Sequence, residues 1–279
     1  MVGNTKFIAD IGINHDGDVI KALVLIKNAK EIGIDYVKFQ KRTPRVCVPK
    51  SQWDNIKDSI FGKMRYIDYK EKMELSKEDY KIINSYCKIM KIKWSASVWD
   101  IDSFKFINSF GSTVPFIKIS SASITDIPLL TEVSKTEKSI IMSIGMSTME
   151  DVNNAMKIFK NNDVTILHCN SSYPAKENEL DLNFIKTLKE LYPKCKIGYS
   201  GHEEGFVPSV VAFTLDVDFI ERHITYNKQA KGTDHSSSLD VNDFKNLINS
   251  CKQVNTILGK SELHVYPTEE INRNKLRIK

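Results

Sequence analysis

The sequence predicts an α/β protein, a closed (β/α)8 TIM barrel, and three observations carry that prediction. The chain has 279 residues, close to the ~250 that one such barrel uses. Eight short, near-continuously apolar runs are spaced along it, the pattern of parallel strands covered on both faces. Between them lie amphipathic segments of helical periodicity, so the order reads βα from one end to the other. An open doubly wound sheet is the main alternative for the same alternation.

The expected strands are residues 6–11, 35–40, 92–97, 115–120, 139–144, 164–169, 196–200 and 218–223. Residues 19–32 place Leu23, Ile26, Ala29 and Ile32 on one helical face, with Gly33 where a C′ glycine belongs. Residues 76–90 open with Ser76-Lys-Glu-Asp79, a capping-box start. Residues 240–258 form the strongest helix, capped by Asp240, lined on one face by Val241, Phe244, Leu247, Ile248, Cys251, Val254 and Leu258, and ended by Gly259. Further helices are expected near 101–110, 126–136, 148–160, 182–192 and 206–216. The barrel domain is expected to span 1–263, leaving 264–279 as a polar tail. Residues 41–75 are a long excursion after the second strand, functional or a lid.

Composition excludes several classes. With 41% hydrophobic and 27% charged residues the chain is an ordinary globule, neither disordered nor collagenous. No apolar run approaches the ~18–20 residues of a membrane helix, and the N-terminus lacks a signal-peptide segment, so a cytoplasmic protein is expected. Forty Lys and Arg against 35 Asp and Glu leave +5, too mild and dispersed for nucleic acid. Five scattered cysteines with no CxxC read as reduced, mostly buried thiols.

Function in a barrel sits at the C-terminal strand ends, and polar residues recur there. In chain order they include Asp10, Asn14 and His15; Lys38 and Gln40; Ser95 and Ser97; Lys118, Ser120, Ser121 and Ser123; Ser143; His168, Asn170, Ser171 and Tyr173; Ser200 and His202; and Glu221, Arg222 and His223. Lys38 and Lys118 lie inside apolar strands. A buried ammonium needs an anion, so two of them beside serines favour a bound phosphate or carboxylate over lysines that snorkel or pair with Asp or Glu. A Schiff-base lysine is the rival use. His202 and His223 end neighbouring strands and either converge on a divalent ion such as Mn²⁺ or Zn²⁺ or are satisfied core histidines. His15, His168 and His235 read as supporting hydrogen bonds or packing, and His264 as exposed. Glu221 and Arg222 read as an ion pair, and Asp10 as either a mouth acid or a cap. Tyr173 and Asp234, on loops, suit a polyhydroxylated ligand.

Seven segments then carry a resemblance: Ala9-Asp-Ile-Gly-Ile-Asn-His15, Val37-Lys-Phe-Gln40, Lys118-Ile-Ser-Ser121, Ser143-Ile-Gly-Met-Ser147, Leu167-His-Cys-Asn-Ser-Ser-Tyr-Pro174, Gly198-Tyr-Ser-Gly-His202 and Glu221-Arg-His-Ile-Thr225. In this order they resemble the catalytic barrel of the sialic acid synthase (N-acetylneuraminate synthase) family, and Gly232-Thr-Asp-His235 resembles its following loop. The resemblance implies a transferase of carbohydrate biosynthesis. Such an enzyme condenses phosphoenolpyruvate with the open-chain aldehyde of an N-acylated amino sugar such as N-acetylmannosamine, giving a nine-carbon 2-keto acid and phosphate. It implies a divalent metal, Mn²⁺ first with Mg²⁺ or Co²⁺ as alternates, on His202 and His223. It implies phosphoenolpyruvate contacts at Lys38, Ser97, Lys118, Ser121, Ser143, Ser171 and Ser200, and sugar contacts at Gln40, Tyr173 and Asp234. Asp10 stands where the family has Glu, with a catalytic role beside Lys38 and Lys118, and Ser123 stands where the family has another Glu. The tail resembles the linker before the family's C-terminal antifreeze-like domain, so a barrel lacking that domain is expected, and the family implies a homodimer. Three other readings stay open: the same reaction with a different aldose, a Schiff-base aldolase, and a degenerate barrel that binds sugar or phosphate without turnover.

Overall fold

The computed structural model describes residues 4–278. Ten strands form: β1 (Lys6–Gly12), β2 (Tyr36–Lys41), β3 (Ile56–Ser59), β4 (Gly62–Arg65), β5 (Lys93–Val98), β6 (Phe116–Ile119), β7 (Ser139–Ser143), β8 (Val164–Cys169), β9 (Lys196–Gly201) and β10 (Phe219–His223). Eight of them close into a barrel in the order β1-β10-β9-β8-β7-β6-β5-β2, and every ladder in it is parallel. Each expected strand appears, with no end shifted by more than one residue.

The helices also follow the apolar periodicity. Val19–Glu31 buries Ala22, Leu25, Ile26 and Ala29, and Gly33 follows with φ +88°, a left-handed turn that a side chain would strain. Lys77–Met90 starts with the expected reciprocal cap: the Asp79 N–H donates to Ser76 Oγ at 3.1 Å and the Ser76 N–H donates to Asp79 Oδ2 at 2.9 Å. Val241–Leu258 is capped by Asp240 and buries Phe244, Leu247, Ile248 and Cys251.

Two apolar layers hold the barrel. Between strands and helices runs the main core, with Leu25, Val37, Trp94, Ile140 and Phe244 fully or almost fully buried. Inside the barrel, Ile8, Phe116, Ile141 and Leu167 form a separate plug, flanked by Tyr36 and Phe219. Each buried side chain of this size contributes roughly 1.5–3 kcal/mol. The plug is the floor of the mouth, so every inward residue above it faces the site.

The excursion after β2 is structured. It holds the antiparallel hairpin β3–β4 and the helix Tyr66–Met73, and Tyr69 and Met73 pack with Ile13 in a small cluster of their own. The end of the chain carries a helix, Pro267–Leu276, with no buried residue. The cysteines are free thiols, three of them buried. Among the described residues no helix is long and apolar enough to cross a membrane.

Candidate active site

Strand register assembles the mouth in rows. His223 on β10 pairs with Asp10 on β1, and Asp10 pairs with Lys38 on β2. Gln40 on β2 pairs with Ser97 on β5, which pairs with Lys118 on β6. Cys169 on β8 pairs with Ser200 on β9, which pairs with Glu221 on β10. These rows line one cavity of about 260 Å³ at the C-terminal ends of the strands, to which Ser121, Ser143, Ser171, Tyr173 and His202 also belong.

The charged groups form a buried network. Lys38 Nζ donates to Asp10 Oδ2 at 2.6 Å and to Ser97 Oγ at 2.9 Å. Lys118 Nζ donates to Ser143 Oγ at 2.7 Å and to the Ile119 carbonyl at 3.2 Å. Glu221 Oε1 lies 3.6 Å from Lys118 Nζ and 3.9 Å from Lys38 Nζ, and accepts from Ser200 Oγ at 3.1 Å. None of the four charged residues is more than 4% exposed. Burial disfavours the Lys38 ammonium, but Asp10 and Glu221 outweigh it and hold its pKa above the usual lysine value. Burial prevails at Lys118 and lowers its pKa, with Glu221 opposing. Burial pushes the Glu221 carboxyl up, yet Lys118, Lys38 and His223 together bring it below the ordinary value.

The imidazoles sit beside this network. The His202 and His223 ring centroids are 5.5 Å apart, and Tyr173 lies against His202 at 4.3 Å. His202 Nδ1 is 2.8 Å from the Asn170 carbonyl. A carbonyl only accepts, so that nitrogen carries the proton and Nε2 keeps its lone pair. His223 Nε2 is 3.6 Å from Asp10 Oδ2. Three buried atoms of this mouth have no hydrogen-bond partner: Asp10 Oδ1, Glu221 Oε2 and His223 Nδ1. Unpaired buried acceptors are costly, and a divalent cation beside two imidazoles fits that donor set. No group of three or more His, Cys, Asp or Glu side chains placed to hold a metal occurs among the described residues, so water or substrate would complete the coordination.

Of the thirteen residues to which the resemblance gives a catalytic, substrate or metal role, twelve line the cavity; Asp234 does not. It is buried at the rim, accepting from Thr233 Oγ1 at 2.6 Å. Burial would raise its carboxyl, but His223, Thr233, Arg42 and Lys70 hold it low. Ser123 also lies outside, bonded to Ser120 Oγ at 3.1 Å. The supporting histidines bond away from the mouth: His168 Nε2 is 2.6 Å from the Leu180 carbonyl, and His235 Nδ1 is 2.7 Å from Thr225 Oγ1.

One sequence reading is corrected. Glu221 and Arg222 do not pair with each other. Neighbours on a strand face opposite sides, so Glu221 enters the mouth while Arg222 turns outward to Glu203, both 0% exposed, Nη1 to Oε1 at 2.5 Å. The signal was present, because Glu221 shares strand parity with His223. Trp99, Met146 and Cys169 also line the cavity without having been singled out.

Cations, hydroxyls and imidazoles gathered over the plug of a closed (β/α)8 barrel define an enzyme of the TIM-barrel class acting on a small anionic molecule. Sequence comparison narrows the class: the chain belongs to the NeuB family, whose model matches residues 25–263. It is 35% identical over 268 residues to an uncharacterized protein, MJ1065, of Methanocaldococcus jannaschii, covering 95% of this chain and 75% of the other. It is 34% identical over 273 residues to the N-acetylneuraminate-9-phosphate synthase of Mus musculus, covering 96% and 75%. Among solved structures, the N-acetylneuraminic acid (sialic acid) synthetase of Leptospira borgpetersenii, in complex with citrate, superposes with a TM-score of 0.84 at 26% identity, covering 99% of this chain and 94% of that one.

Proposed function

We propose that this protein condenses phosphoenolpyruvate with the open-chain aldehyde of an N-acylated amino sugar, N-acetylmannosamine-like, to give a nine-carbon 2-keto acid and phosphate. The observation that carries the reading is the pair of fully buried ammoniums, Lys38 and Lys118, interleaved with the Ser97, Ser143 and Ser200 hydroxyls in one cavity. Family membership and the names of the two characterized relatives support it.

In this reading the lysines and serines hold the phosphate and carboxylate of phosphoenolpyruvate, fixing C3 toward the aldehyde carbon. That is an orientation effect as much as an electrostatic one. C3 bonds to the aldehyde carbon, water adds at C2, and the C2–O bond breaks with loss of phosphate. Gln40, Tyr173 and, from the rim, Asp234 face the acceptor's hydroxyls. His202 and His223 would hold a divalent cation, Mn²⁺ by preference, which when bound polarises the aldehyde oxygen as a Lewis acid. Asp10, between His223 and Lys38, is placed to handle protons at the acceptor end. Lys38, kept charged by two carboxylates, is a poor amine nucleophile, which weighs against a Schiff base there.

The test is phosphate release from phosphoenolpyruvate and Mn²⁺ across a panel of aldoses, with and without a 6-phosphate, since the two relatives' names differ in a product phosphate. Release that depends on an N-acylmannosamine supports the reading. Release with no aldose, or with none of them, refutes it.

A further inference from the structure

Glu221 is the carboxylate of the mouth to which the proposed reaction gives no part. Its Oε1 accepts from Ser200 and faces both Lys118 and Lys38, at 3.1, 3.6 and 3.9 Å. These are three of the groups proposed to hold phosphoenolpyruvate. Asp10 takes another face of Lys38, at 2.6 Å. Two ammoniums therefore meet two carboxylates at the base of the cavity, each at most 4% exposed, and their charges balance before anything enters. A phosphate monoester and a carboxylate together bring about two and a half to three negative charges. A neutral cradle attracts them far less than a doubly positive one, most of all at low dielectric. Glu221 Oε1 lies among the three groups assigned to the ligand, while its Oε2 has no hydrogen-bond partner.

We propose that Glu221 is a built-in counter-charge of the anion cradle, a carboxylate that accepts from Ser200 and stands 3.6 and 3.9 Å from the Lys118 and Lys38 ammoniums in the free protein, and that makes tight binding of the anionic substrate depend on a divalent cation held on the His202–His223 side. The inference rests on the phosphoenolpyruvate reading above. The cation offsets the carboxylate charge that the substrate displaces, so each ligand raises affinity for the other by the same factor. A phosphate-bearing anion arriving without the cation meets a cradle whose positive charge is already balanced.

Calorimetric titration of phosphoenolpyruvate into the protein, in EDTA or in MnCl₂, reads this directly and without turnover. Mn²⁺ is expected to tighten wild-type binding about tenfold or more, and Glu221→Gln in EDTA to bind about tenfold tighter than wild type, with the effect of Mn²⁺ correspondingly reduced. A folded Glu221→Gln protein that binds phosphoenolpyruvate no better than wild type in EDTA overturns the inference. Should that variant not fold, Asp10→Asn removes the other carboxylate on Lys38 and must tighten binding in the same direction. Equal wild-type affinity in EDTA and in MnCl₂ overturns the inference on its own. Absence of binding in both media instead refutes the phosphoenolpyruvate reading beneath it.

Discussion

Asp10 and Lys38 stand opposite each other on neighbouring strands, and their carboxylate and ammonium meet at 2.6 Å over the apolar plug. The pair is 3% and 1% exposed at the base of the cavity, so each partner is the other's main compensation for leaving water. Lys38→Met should therefore destabilise the protein by about 3–5 kcal/mol by stranding Asp10 and Glu221. Urea unfolding should show most of that loss recovered in the Lys38→Met/Asp10→Asn double variant. A double variant no more stable than Lys38→Met would show that the two residues are energetically independent.

Lys118 touches Ser143 but no carboxylate within hydrogen-bond distance. Lys118→Ala should raise the KM for phosphoenolpyruvate about 10–100-fold, the worth of one charge-assisted contact. The KM for the acceptor should change far less. Steady-state kinetics with each substrate varied in turn will separate the two, and an unchanged phosphoenolpyruvate KM contradicts the cradle.

The imidazole pair makes a separate prediction about metal. On the proposed function, His202→Ala and His223→Ala should each weaken Mn²⁺ binding by about a hundredfold or abolish it, since a site with two protein ligands would leave little in reserve. Calorimetry on the folded variants reads this without catalysis. Wild-type affinity in either one removes that residue from the metal site.

His15 gives a pH signature. Its ring is fully buried, accepts the Gly17 N–H at Nδ1 and packs on Phe39, and burial pushes its pKa down to about 4 from 6.5. Above pH 6.5 both folded and unfolded chains keep the ring neutral, and His15 has no effect. Below it the unfolded chain gains a proton that the folded one refuses, so stability falls as pH drops from 6.5 toward 4, by roughly 3 kcal/mol in all. Denaturant midpoints across that window should fall less steeply for His15→Gln. An identical slope would show that other groups set the acid limit.

Gly145 follows β7, and a methyl group there would sit 2.3 Å from Ser171 Oγ and 3.0 Å from Ser121 Oγ. Its N–H donates to Ser121 Oγ at 3.0 Å. Gly145→Ala should displace both serines and lower kcat/KM for phosphoenolpyruvate at least about tenfold, while the melting temperature moves only a few degrees. Unaltered kinetics would mean that neither serine bears on the substrate.

The barrel was legible because its strands are buried on both faces and so read as unbroken apolar runs, as in Ser139–Ser143 and Val164–Cys169. The site was legible because lysines do not belong in such runs. The hairpin β3–β4 escaped because it is short and mostly exposed, with Ile56 70% accessible, so neither face carries a pattern. Glu221 escaped for a different reason. An acid beside an arginine looks like a pair on paper, and only the alternation of a strand, which sends Arg222 to Glu203, tells them apart. Asp234 lies on a loop whose path is set by Ser237 and Ser238 bonding to its carbonyl, and no periodicity reports that.

Residues 42–75 rest Tyr69 and Met73 on Ile13 and Leu75 on the main core, the Thr43 N–H donates to Asp100 Oδ2 at 2.6 Å, and an ion pair of 3.7 Å between Asp58 and Lys231 ties the hairpin to the loop after β10. The hairpin itself is mostly exposed, so β3 and β4 should exchange amide hydrogens faster than the barrel strands.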